Sequence, residues 1–239
     1  MNSAIRTRLS ALPANTNLMT EFPRWIVQEC DAASVVLEIG AGEGKYGYPA
    51  AIRGRVARLV GIDPDGALAR NPYLDERYQT TVEEFAREHD SRFDCLYSMF
   101  VLEHVSDPAG FLTACRSLLH PGGKLFAATP NLWHYFGATT KATAALGVED
   151  WLLECLRGRE IKESYHFPTA YRMNSVRALT RALARAGFRE VDFRCFDEPS
   201  RFQIYLPPAA RWFPVMYSKL VYTLRLPRAM GMLMLKASV

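Results

Sequence analysis

The chain has 239 residues, 49% of them hydrophobic and 23% charged, with a formal net charge of +4. That composition excludes collagen-like and disordered chains and fits a single globular domain over residues 1–239. Five cysteines, at 30, 95, 115, 155 and 195, form no CxxC pair. Neither a disulfide framework nor a metal site is therefore expected, and a reducing cytoplasm is the natural setting.

Met1–Met19 carries Arg6 and Arg8 but no apolar run, so no signal peptide is expected; nor does any uncharged stretch reach the ~20 apolar residues of a membrane span. Ser34–Ile39 (SVVLEI) is apolar, β-branched and followed by glycines, which predicts a buried first strand. Arg58–Ile62 predicts a second, Tyr78–Thr81 a short third, and Phe93–Ser98 a fourth. Thr81 and Glu84 stand at capping-box spacing. Asp107 before Pro108 marks a helix start, with Phe111, Leu112, Cys115, Leu118 and Leu119 at helical spacing, and Pro121-Gly122-Gly123 turns the chain into a fifth strand, Lys124–Ala128. Asn174 is expected to cap a helix bearing Val176, Leu179, Leu183 and Ala186 on one face, closed by Gly187. Phe188–Phe196 and Met230–Lys236 complete seven strands.

This alternation predicts an α/β fold with a doubly wound, mostly parallel seven-stranded sheet. Two stretches break the rhythm, 131–173 and 199–228, and both read as cap insertions on the substrate side.

The first strand runs into GAGEG, with glycines at 40, 42 and 44, and the second ends at Asp63, 19 residues after Gly44. Glycines let a backbone turn tightly and approach a ligand, and an acid at the next strand end can accept two ribose hydroxyls. Strand, glycine turn, helix, strand and acid together predict a nucleotide site. Lys45 stands where a dinucleotide fingerprint requires glycine or alanine, which disfavours a pyrophosphate and hence a nicotinamide oxidoreductase. Glu38, two residues before Gly40, suits a sulfonium or an amino group.

VVLEIGAGEG, VGID at 60–63, FDCLYSMFVLEHVSDP at 93–108 and LLHPGGKL at 118–125 resemble, in order, the motifs of class I S-adenosylmethionine-dependent methyltransferases. The resemblance runs over about residues 30–196. ATPN at 128–131 and Tyr165-His166-Phe167-Pro168 are similar to the branch that methylates hydroxyls of small metabolites. It implies a Rossmann-like fold, S-adenosylmethionine as cofactor, and backbone from Gly40, Ala41 and Gly42 against its methionine part. Glu38 would orient that end, Asp63 would hold the ribose, and Ile62 and Pro64 would flank the adenine. Thr81, Val82 and Glu83 fall where the family often has an acid facing the adenine amino group, a place taken here by Thr81. Ser98 and Met99 would line the methyl-donor pocket.

Methyl transfer from sulfur mainly requires alignment, but an alcohol acceptor gains from losing a proton, which a neutral histidine can take near pH 7. His104, just after the fourth strand, and His166, beside Tyr165, are the candidate catalytic residues; His134, in the cluster Trp133-His134-Tyr135-Phe136, reads as part of a packed lid. The expected reaction is O-methylation of a small, lipid-linked or sugar-linked metabolite. The alternatives are nitrogen or carbon as the methylated atom, and a non-catalytic nucleotide-binding scaffold.

After Glu198 there are six Lys or Arg and no Asp or Glu, whereas before it acids slightly outnumber bases. A nucleic-acid stripe over the main body is thereby disfavoured. Aromatic and aliphatic bulk interleaved with Arg201, Arg211, Lys219, Arg225 and Arg228 leaves two uses for 199–228: a cap or homodimer surface, or peripheral contact with the inner face of a membrane.

Overall fold

A computed structural model of the chain describes residues 5–145, 147, 169–204 and 206–239. Its strands are β1 (Arg6–Ala11), β2 (Val35–Ile39), β3 (Arg58–Ile62), β4 (Glu76–Tyr78), β5 (Phe93–Met99), β6 (Leu119–Pro130), β7 (Glu190–Phe196) and β8 (Met232–Ser238). They form one sheet in the order β1-β7-β8-β6-β5-β2-β3-β4. Every neighbouring pair is parallel except β8, which runs antiparallel to both β6 and β7.

Among the described residues the sheet therefore has eight strands rather than seven. The extra strand, β1, has the sequence RTRLSA and is mostly exposed, so it carries no apolar signal. Its register on β7 sets Arg6 opposite Glu190 and Arg8 opposite Asp192, and Arg6 pairs with Glu190 at 2.6 Å. Exposed pairs of this kind contribute roughly 0–1 kcal/mol, so opposite charges select the register while the backbone ladder holds the strand.

Successive strand residues point to opposite faces. Val36, Cys95, Tyr97 and Phe126 pack with α1 (Leu18–Val27) and with Ile52 of α2 (Pro49–Arg53). Leu37, Ile39, Leu96 and Leu125 pack instead with α3 (Val82–Glu88), α4 (Pro108–Ser117) and α6 (Val176–Arg185), which makes the sheet doubly wound. Helix α1 contains Pro23, normally a breaker, yet Leu18, Phe22, Trp25 and Ile26 bury on one stripe against the sheet. That burial outweighs the one helical hydrogen bond proline removes.

The cap of α6 lies one residue later than expected. Ser175 Oγ accepts from Ala178 N at 3.2 Å, while Asn174 is buried and its Nδ2 donates to Thr129 Oγ1. The segment after β6 contains α5 (Tyr135–Ala145), and between β7 and β8 lie α7 (Pro199–Gln203) and α8 (Trp212–Thr223) with two short 3-10 turns. Among the described residues, no helix is long and apolar enough to cross a membrane.

Candidate active site

Strands β2 and β3 end side by side, and the glycine loop folds across them. Gly40 N and Ala41 N both donate to Ile62 O, at 2.9 and 3.1 Å. Gly40 and Gly42 have φ of +73° and +45°, left-handed values that a Cβ makes costly. Gly42 N donates to Asp63 Oδ2 at 2.9 Å and Asp65 N to Oδ1 at 2.8 Å, which fixes the Asp63 carboxylate at the end of β3. Asn71, fully buried, fastens the loop from outside by donating to Ala41 O at 2.9 Å. No motif marked Asn71, because its role depends on a turn that returns from beyond β3.

Glu38 is buried on β2. Its Oε1 accepts from the Tyr48 hydroxyl at 2.7 Å; Oε2 and the neighbouring Tyr97 hydroxyl have no partner among the described residues. Burial pushes the Glu38 pKa up to about 7, against the pull of the Tyr48 hydroxyl. Burial likewise raises the pKa of Asp63.

A cavity of about 770 Å³ opens in front of this loop. Gly40, Gly42 and Tyr48 line it on one side, Met99, Glu103 and His104 on another, with Phe136, Phe202 and Arg201 opposite. Strand β5 ends at Met99; Phe100, next, is a non-glycine residue with φ of +59°, and after this left-handed turn Glu103 and His104 lie on the cavity wall. Glu103 is 5% exposed; its Oε2 accepts from Thr129 at 2.9 Å, and its carbonyl accepts from Ala170 N and Tyr171 N. Burial pushes its pKa up to about 7. Histidine chemistry drew attention to His104 in LEHV, but it is the preceding Glu103 that adds a buried titratable carboxyl to the same wall.

The other expected site residues are dispersed. Asp63, Pro64 and Glu38 adjoin the loop outside the cavity lining, and Ser98 is buried with Oγ unpartnered among the described residues. Thr81 is occupied as the N-cap of α3, accepting from Glu84 N at 3.3 Å, and the Val82 side chain is in the core. Neither side chain is presented to the cavity. His134 is buried, its Nε2 3.3 Å from Asp197 Oδ1, with its ring against Tyr135 and Phe202 at 4.1 and 4.4 Å. His166 lies outside the described residues.

The raised carboxyls set a pH response, most simply read at Glu103. A carboxyl whose folded pKa exceeds its ordinary value stabilises the protein below that ordinary value, and the contribution is lost as pH rises through the folded value. Glu103→Gln should therefore gain stability relative to the parent as pH rises from 4.5 through about 7, read from urea midpoints. A difference independent of pH would show Glu103 to be solvated.

A parallel sheet with a glycine loop and an acid at adjacent strand ends defines a nucleotide-binding α/β protein. A family model described as a methyltransferase domain matches residues 8–192, and the chain belongs to that family, the class I S-adenosylmethionine-dependent methyltransferases. It is 39% identical over 111 residues to a ubiquinone biosynthesis O-methyltransferase of Marinobacter nauticus, covering 42% of this chain and 45% of that protein. A protein of the same name from Cereibacter sphaeroides is 36% identical over 128 residues, 51% and 49% of the two chains. The chain thus spans about half the length of the curated relatives it matches. Among solved structures, an S-adenosylmethionine-dependent methyltransferase from Archaeoglobus fulgidus superposes with TM-score 0.59 at 15% identity, covering 93% of both chains. One from Mesorhizobium loti superposes with TM-score 0.57 at 19% identity, covering 95% of this chain and all of the other.

The residues present fit the family's donor. An orphaned carboxylate oxygen on Glu38 suits an ammonium group, and each Asp63 oxygen retains acceptor capacity beyond its one backbone donor. The left-handed glycines leave backbone without side chain where the loop meets the cavity.

Proposed function

We propose that the protein methylates a hydroxyl group on a small, lipid-linked or sugar-linked metabolite held in the 770 Å³ cavity. The observation that carries this reading is the meeting of glycine loop, Glu103 and His104 on the wall of one cavity. The O-methyltransferase activity in the names of the curated relatives favours oxygen over nitrogen or carbon as the accepting atom. Bound S-adenosylmethionine supplies an activated methyl group on a sulfonium.

The chain's own residues do the remainder. Gly40–Gly42 and Asp63 fix the donor, Met99 and Phe100 form the floor between donor and acceptor, and Phe136 and Phe202 exclude water. The described parts of the segments after β6 and β7, through Phe136, Tyr171, Phe202 and Ile204, act as caps over the acceptor; residues 148–168 of the first expected cap lie outside the described residues. His104 takes the acceptor proton at a ring nitrogen, with His166 the second candidate for that role. A homodimer and a seat on a membrane are alternative uses of the 199–228 surface.

Transfer of a labelled methyl group to a panel of catechols and hydroxylated sugars tests the proposal. His104→Ala should lower kcat about 100-fold or more while affinity for S-adenosylhomocysteine is retained. Unchanged turnover would remove His104 from the mechanism. Donor binding with no transfer to any oxygen, nitrogen or carbon acceptor would favour the scaffold instead.

A further inference from the structure

Helix α8 buries Pro214, Ser218 and Val221 and turns its opposite side to solvent. On that side Trp212, Met216 and Leu220 recur every fourth residue and are 63%, 54% and 53% exposed, flanked by Phe213 and Leu224. Single exposed apolar residues are ordinary, but a continuous stripe over the whole length of a helix is not. The cations alongside are equally one-sided. Arg211, Lys219, Arg225 and Arg228 are exposed, and none forms an ion pair among the described residues. By contrast Arg201 and Lys236 pair with Glu198 and Glu29.

Beyond the helix end lies a groove of about 640 Å³. Apolar Leu9, Val176 and Leu226 line it together with Arg177, Arg225 and Arg228, and Trp133 stands on it 69% exposed. Stripe and groove share the segment that leads from Leu224 to Arg228, so apolar surface and unpaired cations continue from one to the other.

We propose that the outward face of α8 and the adjoining groove dock on an anionic lipid bilayer. Leucine, methionine and tryptophan side chains enter the acyl boundary while arginine and lysine meet lipid phosphates, the arrangement that holds an amphipathic helix in a membrane interface. Charge argues against a second copy of this chain as the occupant. A two-fold interface brings a surface against itself, and residues 199–239 contain no acid to neutralise the facing cations.

The face also backs onto the candidate active site. Phe213 meets Tyr135 at 4.9 Å, Phe136 meets Phe202 at 5.2 Å, and Phe136, Phe202 and Ile204 line the cavity. Resting on the methyltransferase reading, this contiguity suits an acceptor that arrives dissolved in the bilayer. Docking itself requires neither donor nor acceptor.

Flotation of the full chain with vesicles of phosphatidylcholine, alone or mixed with phosphatidylglycerol, tests the proposal. The protein should float with the mixed vesicles and be released as salt is raised. Lys219→Glu with Arg225→Glu should weaken partitioning about tenfold or more, and Met216→Ser with Leu220→Ser should also weaken it. Both double variants should keep the parent's melting temperature and affinity for S-adenosylhomocysteine, since all four side chains are exposed. Absence of flotation on mixed vesicles would overturn the proposal, as would flotation that charge reversal leaves unchanged. A concentration-dependent dimer dissociated by Leu220→Glu, without vesicle binding, would assign the face to a second copy. Failure of S-adenosylhomocysteine binding would affect the methyltransferase reading alone.

Discussion

Asp63→Ala should weaken S-adenosylhomocysteine binding by about 100-fold or more in a calorimetric titration, with the protein still folded. Hydrogen bonds to a charged acceptor contribute about 1.5–3 kcal/mol each, so losing two ribose contacts corresponds to at least that factor. The same carboxylate also accepts from Gly42 N and Asp65 N, and removing it frees the loop as well as the ligand contact. Asp63→Asn disturbs both in milder form: the amide can still accept at one oxygen but presents donors at the other position, facing one of the two backbone N–H groups. It should restore little. If Asp63→Ala bound as tightly as the parent, the ribose assignment would be wrong and the donor would lie elsewhere along the cavity.

Gly40→Ala should cost stability and donor binding together. At φ of +73° any side chain costs about 1–2 kcal/mol. A Cβ there would also stand 2.3 Å from Val101 Cγ2, far inside contact distance. Valine is stiff at χ1, so relief must come from the turn that carries Glu103 and His104. A fall of about 5–10 °C in melting temperature is expected for a loss of ~2–3 kcal/mol in a chain of this size. Binding of S-adenosylhomocysteine should fall with it. Gly47→Ala provides the comparison. Its φ is also positive, at +67°, but a Cβ there would come no closer than 3.5 Å to the Tyr73 hydroxyl, so only the backbone strain should be felt.

What could be read from the sequence was what depends on local pattern. β-branched runs ending in glycine or aspartate marked β2 and β3, and Asp107-Pro108 marked the start of α4, where Asp107 accepts from Ala109 N at 3.1 Å. The strand β1 and the helix α1 were not legible for opposite reasons. In β1 the stabilising partner is a backbone ladder 184 residues away, and the side chains remain in water. In α1 a proline hid an apolar stripe. At the candidate site, Gly40, Gly42 and Asp63 announced themselves by spacing, whereas Asn71, Tyr48 and Glu103 work through tertiary proximity that no spacing encodes. Thr81 illustrates the converse. Its capping-box spacing with Glu84 is visible in the sequence, and the structure uses the hydroxyl for the cap, a role that competes with the adenine-facing place implied by the family resemblance.

The antiparallel strand β8 sits between β6 and β7, and among the described residues β7 in turn is the only neighbour of β1 in the sheet. A ribosome makes these strands in numerical order. When β7 has emerged, the parallel run from β6 to β4, which holds the glycine loop, has its internal partners and awaits β8 along its β6 edge, while the β1–β7 pair has no edge of the main sheet to join. Only when Met232–Ser238 is made can the two pieces be zipped together, each through seven residue pairs with β8. The donor half is thus the part of the molecule able to order itself during synthesis, and completion of the sheet is deferred to the last strand.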